Sequence, residues 1–178
     1  MNVRIKLRKN QSTIPSEKLT PEITSLEIIG DSIQKIPSLS HLKACQYLSL
    51  NAPELIQLNE LPPNLTVLKL RGTRTIPQDL PCIHTLGLSY IQLTPFPLDF
   101  KIPTSVLTLN LNGNKLSEIP EGLFDCVNLQ RLNLDNNEIV SLPSRFFEIK
   151  DLVHLSLDNN PLSDDCKNKL YQKYGIWF

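Results

Sequence analysis

The chain has 178 residues, 40% of them apolar and 20% charged, and its 18 basic side chains cancel its 18 acidic ones. That balance belongs to a folded globular protein. It excludes a disordered chain and any general attraction to nucleic acid or to an anionic membrane. Leu is in excess at 32 and Pro stands at 14 against 6 Gly, yet no run of 18 apolar residues exists, so a repeat is expected rather than a membrane span.

In chain order, Met1–Lys9 alternates apolar and basic residues and lacks the continuous apolar stretch of a secretory leader. Four widely spaced cysteines (Cys45, Cys82, Cys126, Cys166) include no C-x-x-C pair. An intracellular, reducing setting is expected. Ile5-x-Leu7-x-x-Asn10 begins a pattern that returns as Ile23-x-x-Leu26-x-Ile28 with Asp31 and as Cys45-x-x-Leu48-x-Leu50 with Pro53. It continues as Leu65-x-x-Leu68-x-Leu70 with Thr73 and as Ile83-x-x-Leu86-x-Leu88 with Ile91. Three regular copies follow: Val106-x-x-Leu109-x-Leu111-x-x-Asn114, Leu129-x-x-Leu132-x-Leu134-x-x-Asn137 and Leu152-x-x-Leu155-x-Leu157-x-x-Asn160. From residue 23 onward the copies start 22, 20, 18, 23, 23 and 23 residues apart.

The L-x-L core puts two apolar side chains on the inner face of a short strand, because side chains alternate faces. One turn cannot bury that face alone, so neighbours must stack. The Asn at the ninth position both donates and accepts, which suits a loop that turns inward. Asn10, Asn114, Asn137 and Asn160 meet that need, Asp31 and Thr73 meet part of it, and Pro53 and Ile91 cannot. A regular hydrogen-bond ladder is therefore expected at the C-terminal end and a broken one in the middle. The 18-residue step leaves no room for a helix on the far side of the turn, and Pro62, Pro63, Pro77 and Pro81 favour extended connections there. Gly122-Leu123-Phe124 and Arg145-Phe146-Phe147 have room for short helical turns. A cap closes the chain, with Ser163 as N-cap, Asp164 and Asp165 in the first turn, Cys166, Leu170 and Tyr174 on one face, and Gly175 as terminator. Trp177 and Phe178 are expected to fold back over the last turn.

L-x-x-L-x-L-x-x-N-x-L resembles the leucine-rich repeat family, and three copies in tandem make the likeness specific. The resemblance implies an α/β repeat fold. It would be a curved horseshoe solenoid of about eight turns over residues 1–162, with a parallel β-sheet on the concave face and a helical cap over 163–178. It also implies that partners bind the concave sheet. The proline-bearing connections Leu61-Pro62-Pro63 and Leu80-Pro81 resemble the short repeats of bacterial type III and type IV secreted effectors. Some of those carry a ubiquitin-ligase domain with a C-x-D nucleophile. Here the cysteines are followed two residues on by Tyr47, His84, Asn128 and Asn168, so that activity is not implied.

No phosphate-binding loop, H-E-x-x-H or G-x-S-x-G is present, and no cofactor or metal is expected. His84 and His154 fall three strands apart, about 14 Å, too far to share a metal ion. Cys45, Cys82 and Cys126 are expected to be packed. An enzyme is not expected.

Function is then sought on the concave positions around each L-x-L. Those positions carry Tyr47, Lys69, Arg71, Asn112, Arg131, Asp135, His154 and Asp158, with Tyr90 at the end of its strand. Lys69 and Arg71 form a basic centre with Arg74 beyond it, and Asp135 and Asp158 form an acidic strip. Seven strand gaps give a face about 34 Å long, enough for a protein partner. The reading is a monomeric, non-enzymatic protein-interaction module, specifically a bacterial effector that binds a host protein after delivery by a specialised secretion system. Two alternatives remain. One is an adaptor that recruits a separate enzyme, such as a ubiquitin ligase, through its cap or convex side. The other is a solenoid that self-associates through Trp177 and Phe178.

Overall fold

The computed structural model describes residues 1–93 and 95–177. Eight parallel strands stack into one sheet: β1 (Asn2–Lys6), β2 (Ser25–Ile29), β4 (Tyr47–Asn51), β6 (Val67–Arg71), β7 (Thr85–Ser89), β8 (Thr108–Asn110), β9 (Arg131–Asn133) and β10 (His154–Ser156). Seven complete coils therefore separate the first strand from the last. A two-residue parallel ladder joins β3 (Lys35–Ile36) to β5 (Gln57–Leu58) on the next side of the coil. Among the described residues there is one α-helix, α1 (Asp164–Tyr174), which follows the last turn.

Register explains the sheet. Leu26, Leu48, Leu68, Leu86, Leu109, Leu132 and Leu155 form one continuous column of partners. Ile28, Leu50, Leu70 and Leu88 form the second and are buried. Each buried Leu or Ile contributes roughly 1.5–3 kcal/mol, and only the adjacent turn supplies the cover. The register of the leucine column is constant while the connection shortens. Val67 pairs with Thr85, an 18-residue step, and no helix lies between β6 and β7. The longer turns carry 3₁₀ segments at Glu121–Asp125 and Ser144–Glu148, each entered from a proline, and they bury Leu123 and Phe146.

The first turn departs from the expected alignment. Val3 pairs with Leu26 and Ile5 with Ile28, so the inward pair is Val3 and Ile5 rather than Ile5 and Leu7. A shift of two residues keeps every side chain on its face, so V-x-I-x-L fits either register. The chain then reaches β2 in 23 residues. Asn10 falls outside the ninth position and is exposed, as is Asp31, so neither turns inward.

The asparagine ladder is regular at the C-terminal end. Asn137 Oδ1 accepts from the backbone N–H of Asn114 (2.9 Å) and Leu116 (3.1 Å), and its Nδ2 donates to the carbonyls of Leu111 (3.1 Å) and Leu134 (2.8 Å). Asn160 repeats the pattern on Ile139, Leu134 and Leu157. Asn114 extends it to Ile91 N–H (2.8 Å) and the Leu88 carbonyl (2.6 Å). Each amide thus ties its own turn to the one before. Upstream the ladder stops. Fully buried Thr73 makes a single local bond, from its hydroxyl to the Thr75 carbonyl (2.9 Å).

At the C-terminal end, Ser163 Oγ accepts from Cys166 N–H (3.3 Å), Gly175 takes the left-handed conformation (φ 69°), and Cys166 and Leu170 are buried. Tyr174 donates its hydroxyl to the Phe146 carbonyl (3.3 Å), and its ring meets that of Phe146 edge-on. Trp177 does not fold over the turn. It is 79% exposed and lies against Tyr171, with ring centroids 4.1 Å apart, because Gly175 directs the chain away. The expectation for Phe178 lies outside the described residues.

Asn137→Ala leaves the buried N–H groups of Asn114 and Leu116 without their acceptor, while the Leu111 and Leu134 carbonyls keep Asn114 Nδ2 and Asn160 Nδ2. It should lower the unfolding free energy by about 3 kcal/mol in equilibrium urea denaturation, whereas Thr73→Val should cost about 1 kcal/mol. Equal losses would mean that the ladder contributes nothing beyond packing.

Candidate protein-binding surface

The open face of the sheet carries the alternate residues of each strand. Near its centre β6 presents exposed Lys69 and Arg71. Lys69 Nζ lies 5.6 Å from the centroid of the Tyr47 ring on the preceding strand, and Arg71 Cζ lies 4.8 Å from that of Tyr90 beyond the following one. Each cation rests on an aromatic face, an arrangement contributing about 0.5–1 kcal/mol at an exposed site.

Two glycines make the arrangement fit. Gly87 pairs with Lys69 across β6 and β7, and a Cβ there would stand 3.3 Å from Lys69 Cγ. A Cβ on Gly113 would lie 2.5 Å from two ring carbons of Tyr90. Tyr90 itself is unusual. Two residues past the inward pair the backbone is left-handed at Gly72, Gly113, Asn136 and Asn159, types that tolerate it, and also at Tyr90 (φ 53°); exposed Lys115 (φ 55°) shares that conformation two residues beyond Gly113. A bulky side chain there costs roughly 1–2 kcal/mol. The column Gly, Tyr, Gly, Asn, Asn was visible in the sequence, and the odd Tyr in it was the missed signal.

Charge pairing rearranges the rest of the expected surface. Arg74 is not part of the basic centre, because its guanidinium meets Glu54 Oε1 at 2.8 Å and Gln92 Oε1 at 3.3 Å. Ion pairs among the described residues also join Arg4 to Glu27, Arg145 to Glu121 and Lys169 to Asp165, and none involves Lys69 or Arg71. The acidic strip divides. Asp135 is half-buried and its carboxylate accepts from Ser156 Oγ (2.5 Å), Asp158 N–H (2.8 Å) and Asn133 Nδ2 (3.0 Å). It braces the last two turns. Asp158 is exposed, as are Arg131 and His154, which pair across β9 and β10. Asn112 is half-buried; its N–H donates to Asn110 Oδ1 (2.9 Å), while its own Oδ1 is buried with no partner among the described residues. Tyr47, Lys69, Arg71 and Tyr90 thus form one cluster, and Arg131, His154 and Asp158 form another.

The thiols offer little chemistry. Burial pushes Cys126 up to about 11, with Asp125 adding to the shift, and burial likewise raises Cys45 and Cys166. Cys82, expected to be packed, is exposed because it precedes the strand on a proline-flanked loop. No cluster of three or more His, Cys, Asp or Glu residues suited to a metal ion occurs among the described residues. No helix there is long and apolar enough to cross a membrane.

This is the leucine-rich repeat fold, typically non-catalytic and generally a protein-binding module. Residues 104–162 match the leucine rich repeat family. The chain is 28% identical over 121 residues to mouse lumican, covering 68% of this chain and 31% of lumican. Among solved structures, InlP of Listeria monocytogenes is similar with a TM-score of 0.59 and 22% identity, over 78% of this chain and 42% of that one. A Listeria monocytogenes internalin-like protein is similar at 0.57 and 22%, over 79% and 46%. The chain spans less than half the length of each of these proteins.

Tyr90→Asn should leave stability unchanged or raise it by up to about 1 kcal/mol, since relief of the left-handed strain offsets the lost ring contacts. Thermal unfolding checks this; a loss above about 1 kcal/mol would make the ring a packing element. Titration with a thiol reagent at pH 8 should find one fast-reacting cysteine, Cys82, in the native protein and four in guanidinium. Fast reaction of a second thiol in the native state would contradict the burial of the other three.

Proposed function

We propose that the chain is a non-enzymatic protein-binding module that engages its partner on the concave sheet, and that it acts as a bacterial effector on a host protein inside the host cell. What carries the binding-face reading is the pair Lys69 and Arg71, exposed on the sheet, supported by Tyr47 and Tyr90, and matched by no carboxylate of the described residues. Arg and Tyr are the residue types that dominate protein interfaces. Lys69, Arg71, Tyr47 and Tyr90 would form the centre of the interface, with Asn112, Arg131, His154 and Asp158 along its C-terminal side. Asp135 would contribute by holding Ser156 and Asp158 in place. The effector reading draws on the proline-bearing short turns at Leu61-Pro62-Pro63 and Leu80-Pro81.

A second reading has one observation in its favour. Trp177 and Tyr171 form an exposed aromatic pair at the C-terminal end (79% and 44% exposed), a surface suited to recruiting an enzyme or a second copy. Phe147, on the convex side, is half-buried against Phe146 and offers less.

Paired affinity capture from eukaryotic lysate separates the two. One bait is the native chain; the other carries Lys69→Glu, Arg71→Glu and Asp158→Lys, with Asp135 left intact and folding checked by circular dichroism. A protein retained by the native chain and lost by the variant is the expected result. Equal retention by both baits would move the site to the cap, and retention by neither would count against a host partner.

A further inference from the structure

We infer that the central cluster recognises an extended acidic segment of a protein partner, with carboxylates on alternate residues: one taken by Arg71, its neighbour by Lys69. This rests on the concave-face reading and specifies the chemistry of what binds there. Lys69 and Arg71 are two residues apart on β6 and point to the same side. Their spacing along the strand is about 6.6 Å at 3.3 Å per residue. An extended peptide places alternate side chains at the same interval, so the sequence acid-x-acid meets both cations without bending.

Three features make the site receptive. Neither cation has an acidic partner among the described residues, although Arg74 and, three strands away, Arg4 both do. Each is held on an aromatic ring, which restricts a long side chain before any ligand arrives and reduces the ordering cost of binding. The rings and stems are themselves seated by the missing side chains of Gly87 and Gly113, and Tyr90 holds its place in a left-handed backbone unsuited to its bulk. Strain maintained at an exposed residue points to a use for that residue.

A single-stranded nucleic acid also carries negative charge and favours aromatic platforms, but the cluster suits it poorly. Such ligands need a basic track along the backbone and free ring faces. Here only two cations are present, each already covering a ring, and the same face turns acidic at Asp158 about 19 Å further on.

The test is fluorescence anisotropy with a short fluorescein-labelled peptide alternating Ser and Glu, its Ser–Gln counterpart and a labelled oligouridylate. The native chain should bind the Glu peptide at least tenfold tighter than the Gln peptide. Lys69→Met with Arg71→Gln should remove that preference, and Lys150→Met with Lys173→Met, which deletes two exposed charges elsewhere, should keep it. Equal binding of the two peptides would overturn the inference, as would equal loss in the control variant, which would mean unlocalised attraction. Tighter binding of oligouridylate than of the Glu peptide would overturn it in favour of nucleic acid. If lysate capture still depends on Lys69, Arg71 and Asp158 while the peptides are not distinguished, this inference falls and the concave-face reading stands. If capture does not depend on them either, both fall.

Discussion

Two apolar side chains pointing inward from a short strand cannot be covered by their own turn, and every feature of this chain answers to that constraint. The cover must come from the next copy, so strands stack in parallel and in register, and Leu26 through Leu155 become one column. The column fixes the strands and leaves the connections free. Between β6 and β7 the step is 18 residues and between β8 and β9 it is 23, yet Leu68 meets Leu86 as Leu109 meets Leu132. The open face follows from the same alternation, because each inward leucine leaves its neighbours facing outward.

Much of this was legible because the interior dictates residue type at fixed spacing. Asn114, Asn137 and Asn160 sit 23 residues apart, and each bonds across to the preceding turn. The first turn was harder to place, since Val3, Ile5 and Leu7 alternate and a slide of two residues changes no face. The surface was legible as columns and not as partnerships. That Lys69 and Arg71 face outward follows from Leu68 and Leu70 facing inward. That Arg74 is spent on Glu54, or Asp135 on Ser156, does not follow from the alternation. Both partners lie one coil away, 20 and 21 residues along the chain. Distance along the chain in units of one repeat, rather than adjacency, is where such pairs are found.

The two charged regions of the face consequently play different parts. Asp135 is satisfied by three donors and belongs to the framework of the last turns. Among the described residues, Lys69 and Arg71 are met only by aromatic faces, which leave the N–H donors of both groups available. A surface reading that counts charges treats them alike; one that counts hydrogen bonds separates them.

The uneven ladder also bears on how the chain acquires its structure. In a one-dimensional array, folding can nucleate at any turn and propagate to its neighbours. Here the coupling differs along the array: the last three turns are tied by Asn114, Asn137 and Asn160 and closed by α1, whereas the strands from β1 to β7 pair over five residues rather than three. Synthesis delivers the turns without asparagine ties before the turns that have them. The part of the sheet containing Lys69 and Arg71 therefore leaves the ribosome before the asparagine-tied turns that will cover its C-terminal edge.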